Sequence, residues 1–400
     1  MIGILIRNLA MPLSRRPFLQ RAALLLGATA LPPSAWANTA NPSAAKATPT
    51  PPSTRLAAAW RARSARADAA ATTDYVGLLQ LDWAAGQVRI AQATPVQGRA
   101  HGLLAEAGGG FLAIASRPGR WLMRLDAQGK LVQQHWLDQE TPAHSFDGHI
   151  MASNDGQWLY TTETDRNSGQ GWVSVRDART LAKVAQWATQ GMDPHQLLRD
   201  TQGMLVVANG GIPRTAKGDK RDLHLMAPSL VRLHPANGEL LGQWRLADPR
   251  LSIRHLAWST GEQPLLGVAL QAEHDDIDQR RAAPALALWD GKELRIPTRT
   301  ATAGGYAGDI APGPGGGFVI SGQRVGRGVL WHPDAPDTLM TIAELREVCA
   351  LSPLPLTDQP GGVLLGAARG VALWHPRLAP AMLAWPQEMS PDNHWIALST

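Results

Sequence analysis

Four similar segments, each opened by a histidine, recur along the chain and narrow the folds it can adopt. They read RAHGLLAEAGGGFLAIAS at His101, DGHIMASNDGQWLYTTE at His149, DPHQLLRDTQGMLVVAN at His195 and IRHLAWSTGEQPLLGVAL at His255. Each runs histidine, short apolar stretch, polar or glycine-bearing turn, second apolar stretch. A strand-rich unit repeating every roughly 40 to 60 residues cannot bury its apolar face alone and is stable only when stacked on its copies, as the blades of a propeller are. Equivalent positions in such an array face one shared place, so the four imidazoles are expected to meet.

A second series sets the number of units. An alternating strand ending in Asp or His-Pro recurs at Asp82, Asp126, Asp177, His234, Asp290, His332 and His375, followed by turn sequences such as AAGQ, AQGK, PANGE and DGKE. Alternation with hairpin turn residues reads as half-buried strand and turn. The expected fold is therefore all-β, a seven-bladed β-propeller. The remaining first-strand segments begin at Ala307, Val348 and Met389. The last unit is split: residues 389–400 are expected to give two strands and about Tyr75 to Ala93 the other two. Such closure pairs the chain ends and leaves no free sheet edge. Trp289, Trp331 and Trp374, beside the third-strand ends, are expected to pack between blades.

The N-terminus reads as an export signal. Ser14-Arg15-Arg16-Pro17-Phe18-Leu19-Gln20 matches a twin-arginine motif, Ala22–Leu31 is weakly apolar, and Ala35-Trp36-Ala37 is an A-x-A cleavage site. The apolar run is too short to span a bilayer. The expectations are a signal over 1–37, passage through the twin-arginine translocase, and a periplasmic protein with no membrane anchor after cleavage. Residues 38–72 read as a disordered or partly helical linker, in which 55–71 is a solvated lead-in to the ring or, alternatively, a short basic helix, and the propeller as 73–400. Four arginines (Arg7, Arg15, Arg16, Arg21) lie in the signal, so a net charge of +5 falls to about +1 without it. That balance argues against nucleic acid or anionic membrane as a partner. Cys349 has no disulfide mate and reads as a small buried apolar residue.

First-strand starts and second-strand ends emerge on the same face of an antiparallel blade. That face collects His101, His149, His195, His255 and Asp309, and Arg117, Glu163, Asp165, Asn209, Gln271, His274, Gln323 and Arg324. The long segments after Asn209 and Leu270 belong to it too, as candidate binding loops. His234, His332 and His375 fall on the opposite face, as turn residues. His149, Glu163, His195, Asn209 and His255 are expected around one funnel, flanked by His101 and Arg254. Imidazole with carboxylate suits a transition-metal ion, for which His149, His195 and Glu163 are the expected ligands. No nucleophile elbow, phosphate loop or C-x-x-C is present.

At these residues the chain resembles domain-of-unknown-function family 1513. The shared stretches are Gly148-His149 with Ser153, Asp155 and Gly156; Glu163-Thr164-Asp165; Pro194-His195-Gln196-Leu197; Ala208 to Ile212; Met226 to Leu230; and Ser252 to Leu256. Thr164 replaces the family's usual Asn, Gln196 its usual Glu, and a late Pro-Arg-Gly stretch survives as Gln323-Arg324-Val325-Gly326. The resemblance implies a periplasmic propeller encoded near imelysin-type and di-haem peroxidase-like proteins of iron uptake, which makes imelysin-type proteins the expected partners. The functional expectation is a non-enzymatic propeller that binds a ligand or protein partner on its histidine face, accessory to iron or other metal acquisition. The alternative is a metal-dependent hydrolase resembling propeller lactonases, which would need acidic ligands converging with one or two histidines.

Overall fold

The computed structural model describes residues 53–63, 72–297, 303–354 and 361–398. The expected signal, cleavage site and most of the linker lie outside these residues. Three strands come first: β1 (Thr54–Arg63), β2 (Thr72–Asp82) and β3 (Gln87–Val96). Five four-stranded antiparallel sheets follow. They are β4 (Ala100–Ala105) to β7 (Leu131–Trp136) by way of β5 (Phe111–Ala115) and β6 (Trp121–Leu125); and β8 (His144–Ala152), β9 (Trp158–Asp165), β10 (Gln170–Asp177) and β11 (Lys183–Met192). The third is β12 (Pro194–Arg199), β13 (Leu205–Asn209), β14 (Ser229–Leu233) and β15 (Leu240–Trp244). The fourth is β16 (Leu251–Trp258), β17 (Leu266–Ala272), β18 (Leu286–Trp289) and β19 (Leu294–Arg295). The fifth is β20 (Ile310–Pro312), β21 (Phe318–Gly322), β22 (Arg327–Trp331) and β23 (Leu339–Glu344).

The chain ends in β24 (Leu351–Pro353), β25 (Val363–Ala367), β26 (Gly370–Trp374), β27 (Ala381–Ala384) and β28 (Met389–Leu398). These join β1–β3 in an eight-stranded sheet of order β27-β26-β25-β24-β28-β1-β2-β3. Its two quartets meet through a single parallel bridge, Leu351 to His394. First strands lie against one another in a closed cycle: β4, β8, β12, β16, β20, β24, β28 and back to β4. The fold is all-β and propeller-like.

The seam differs from expectation. Residues 389–398 give one strand, not two, and the N-terminal side gives three. The segment expected as a solvated lead-in or a basic helix is strand through Arg63, pairing with β2 on one edge and β28 on the other. Alanine's helical preference, below about 1 kcal/mol per residue, yields to tertiary burial here. Leu56, Ala58, Trp60 and Ala62 pack with Leu79, Leu81 and Trp395 on one face. Ala57 and Ala59 pack with Val76, Leu78 and Phe111 on the other.

Apolar side chains fill the gaps between neighbouring sheets. Trp289 lies 4.8 Å from Trp244 and 6.2 Å from Trp258, ring to ring, and Phe318 stacks on Trp331 at 5.9 Å. Burying one such side chain contributes roughly 1.5–3 kcal/mol. Trp374 and Cys349 are likewise buried. Among the described residues, no helix is long and apolar enough to cross a membrane.

Candidate functional site

Each first strand that carries a histidine is irregular where the histidine sits. The register with the second strand shifts between Ala100 and Leu103, Phe146 and Ile150, Pro194 and Leu197, and Ile253 and Leu256. β28 shifts likewise, three of its residues facing one of β1 between Pro391 and Trp395. A bulge adds unpaired backbone and re-aims a side chain out of the pleat. Five times the side chain it re-aims is an imidazole: His101, His149, His195, His255 and His394. Gly148, at φ +98°, completes the arrangement, because a Cβ there would come within 2.9 Å of the His101 ring.

The five rings form one cluster. Centroids of His101 and His149 are 4.9 Å apart, His149 and His195 4.6 Å, and His195 and His255 4.4 Å. His394 is 4.4 Å from His255 and 4.6 Å from His101. Ligating atoms of His101, His149, His195 and His255 all lie within 4.8 Å of one another, and those of His255, His394 and Asp309 form a second such set. His394 was not among the residues expected here, although PDNHW at the chain's end repeats the DPHQL and IRHLA pattern.

Carboxylates hold two of the rings from behind. His101 Nδ1–H donates to Asp392 at 3.0 Å and His394 Nδ1–H to Asp309 at 3.2 Å. Asp392 also accepts from Arg99 at 2.7 Å, and Asp309 from the Leu351 amide at 2.9 Å. This fixes the tautomer, leaving a lone pair on Nε2 of each ring. The Nε2 atoms of His101, His149 and His394 are buried without a hydrogen-bond partner, as is Nδ1 of His255. Arg117 donates to His195 Nδ1, which puts the His195 proton on Nε2, facing His255 Nε2 at 2.7 Å. Burial pulls His101 down to about 3 despite Asp392, and holds His149, His195 and His255 well below their ordinary value. Burial acts on His394 too, but Asp309 outweighs it and raises that group. Four of the imidazoles are thus neutral at pH 7, the form that binds metal.

Beside the cluster, Asp193 is gripped by Arg117, Arg214 and Arg254. Burial and the neighbouring Arg117 bring Arg254 down to about 9, and burial pushes Asp147 up to about 7 against the pull of Arg117 and Thr164.

Two expected contact residues lie elsewhere. Glu163 points within its own sheet, bonded to Arg176 at 2.7 Å, His144 at 3.1 Å and Thr161 at 3.1 Å. Its partners are on β10, β8 and β9 themselves, so its strand-end position does not bring it to the rings. Asn209 donates to the Thr189 carbonyl at 2.8 Å and to Ser229 at 3.1 Å. Asp165 caps a turn through the Asn167 amide, His274 bonds Asp248, and Arg324 lies over the Tyr306 ring. Gln196 accepts from the Leu256 amide at 2.6 Å, tying β12 to β16; an amide there removes no ligand from the cluster. His234, His332 and His375 accept backbone N–H bonds in turns.

Residues 94–398 match the family described as protein of unknown function (DUF1513). The chain belongs to that family. No curated protein matches the DUF1513 chain. Among the solved structures that share its fold are a lyase and a synthase. A selenomethionine-substituted virginiamycin B lyase from Staphylococcus aureus is 9% identical, with a TM-score of 0.52 over 72% of this chain and 84% of that one. A hydrazine synthase chain from Kuenenia stuttgartiensis is 12% identical, with a TM-score of 0.53 over 77% and 93%. At such identity the likeness speaks for the fold alone.

Proposed function

We propose that this DUF1513 protein is a seven-bladed periplasmic propeller, exported by the twin-arginine route, that binds a divalent transition-metal ion at the meeting point of its first strands. The blade count takes the eight-stranded sheet as two blades, and the closed cycle of first-strand contacts supports it. One observation carries the metal reading: buried imidazole nitrogens with no partner converge from separate strands. An unsatisfied buried polar atom costs about 1–3 kcal/mol, and a cluster of them is retained where a ligand satisfies them. His101, His149 and His394 offer Nε2 directly. His255 and His195 stand beside them, His195 keeping its Nε2 proton toward His255.

The donors select the ion's class. Hard cations take oxygen ligands, whereas neutral imidazole suits Zn, Cu, Ni, Co or Fe(II), with Cu(II) the tightest by intrinsic order. Asp392 and Asp309 act from the second layer, orienting the rings and raising their basicity. This suits an accessory of iron or other metal acquisition, with imelysin-type proteins as its proposed partners. Metal content is the test. Protein purified from the periplasm, or reconstituted with Cu(II) or Zn(II), is expected to hold about one ion per chain by plasma mass spectrometry. His149→Ala and His394→Ala should each lower that ratio while melting as folded proteins. Full metal content in both variants would refute the reading.

A further inference from the structure

Charge does not balance beside the histidine cluster. The guanidiniums of Arg117, Arg214 and Arg254 converge on Asp193, whose side chain is 1% exposed. The second acid, Asp147, lies 3.9 Å from Arg117. Three buried or nearly buried cations therefore face two carboxylates. The adjoining Lys220 brings its own counter-charge, Glu273, at 2.5 Å. Arg117 abuts His195, so this positive excess touches the cluster itself.

A pocket of about 100 Å³ opens against the same groups, lined by Arg117, Arg214, Asp147 and Asp193, with Arg166 and Asp165 at its side. Asp165 is occupied by the amides of Asn167 and Ser168. Arg166 donates only to the carbonyls of Ala143 and Pro142 among the described residues. Arg221, also on the lining, has Asp222 at 3.6 Å; apart from that pair, four arginines, the neighbouring Arg254 included, stand against three acids. A site short of negative charge, walled by planar forks and with room for a small molecule, matches a small carboxylate, which guanidinium binds through two parallel hydrogen bonds.

We propose that this pocket binds a small carboxylate, held by Arg117 and Arg214, and that it binds more tightly when the histidine cluster holds a divalent ion. The first half stands on the arginines alone. The second rests on the metal reading above: an ion adds positive charge, and the anion offsets it. Such coupling is reciprocal, so the carboxylate would tighten the metal by the same factor. The ligand of the protein would then be a metal–carboxylate pair.

Acetate is the probe, followed by ¹³C line broadening on metal-free and zinc-loaded protein. Zinc loading is expected to tighten acetate binding several-fold, since coupling between sites is typically about 5-fold or more. Arg214→Gln should weaken acetate about tenfold, the loss of one charge-assisted contact, with zinc content unchanged. Arg214→Lys, which keeps the charge and loses the fork, should fall between wild type and Arg214→Gln and guards against a folding defect. Equal acetate binding by Arg214→Gln and wild type, or none by either form of wild type, would overturn the pocket. Equal binding by metal-free and zinc-loaded protein would overturn the coupling. If zinc does not load, the metal reading fails, and acetate on metal-free protein still decides the pocket.

Discussion

Glu163 and His101 show how partners decide the fate of a buried titratable group. His101 has a carboxylate behind it and an empty side in front, so burial wins and the ring is neutral. Burial of Glu163 works against its charge too, but His144 and Arg176 together outweigh it and hold the carboxyl at about 2. A carboxyl lowered on folding stabilises the native state above its unfolded value of about 4.5. That contribution, on the order of 3 kcal/mol, is lost as pH falls through about 2. Glu163→Gln is expected to cost about 3 kcal/mol at pH 7, since Arg176 keeps only Glu140 as a carboxylate partner, and to flatten the loss of stability between pH 5 and 2. Denaturant titrations of both proteins across that range check it; parallel curves would refute it. The histidines were legible because repetition superimposes them. The partners of Glu163 were not, because Arg176 and His144 are distant in sequence and nothing periodic marks a buried ion pair.

Strand periodicity revealed the quartets of strands, but a bulge leaves no mark on periodicity. The sequence located the histidines at strand starts; it could not reveal that a register shift turns each one toward the others. β1 does not show as a strand in the sequence for a related reason. A strand buried on both faces need not alternate, and RLAAAWRAR has the composition of a helix. Its place between β28 and β2 makes it indispensable to the seam. A chain beginning at residue 53 is expected to purify as a monomer with the melting temperature of one beginning at residue 38. One beginning at residue 72 lacks β1, exposes two sheet edges and should aggregate. Size-exclusion chromatography separates the two outcomes. A monodisperse chain beginning at residue 72 with unchanged melting would mean that β1 is dispensable.

For the whole molecule, the proposed export route and folding are joined. The donors come from residues as far apart as 101 and 394, so the centre exists only in the folded chain, and twin-arginine export carries folded chains. Replacing Arg15 and Arg16 by Lys is expected to leave precursor in the cytoplasm, read by fractionation and immunoblot; normal periplasmic accumulation would overturn the assignment. The last strand, β28, carries His394 into the cluster while it zips the C-terminal quartet to the N-terminal strands. The seam and the centre are therefore one fastening. An ion held there would tie the tail of the polypeptide to strands from its first half, like a clasp on a bracelet. Springing the ring would mean surrendering the ion, and a ring left unclosed would have nothing to hold it.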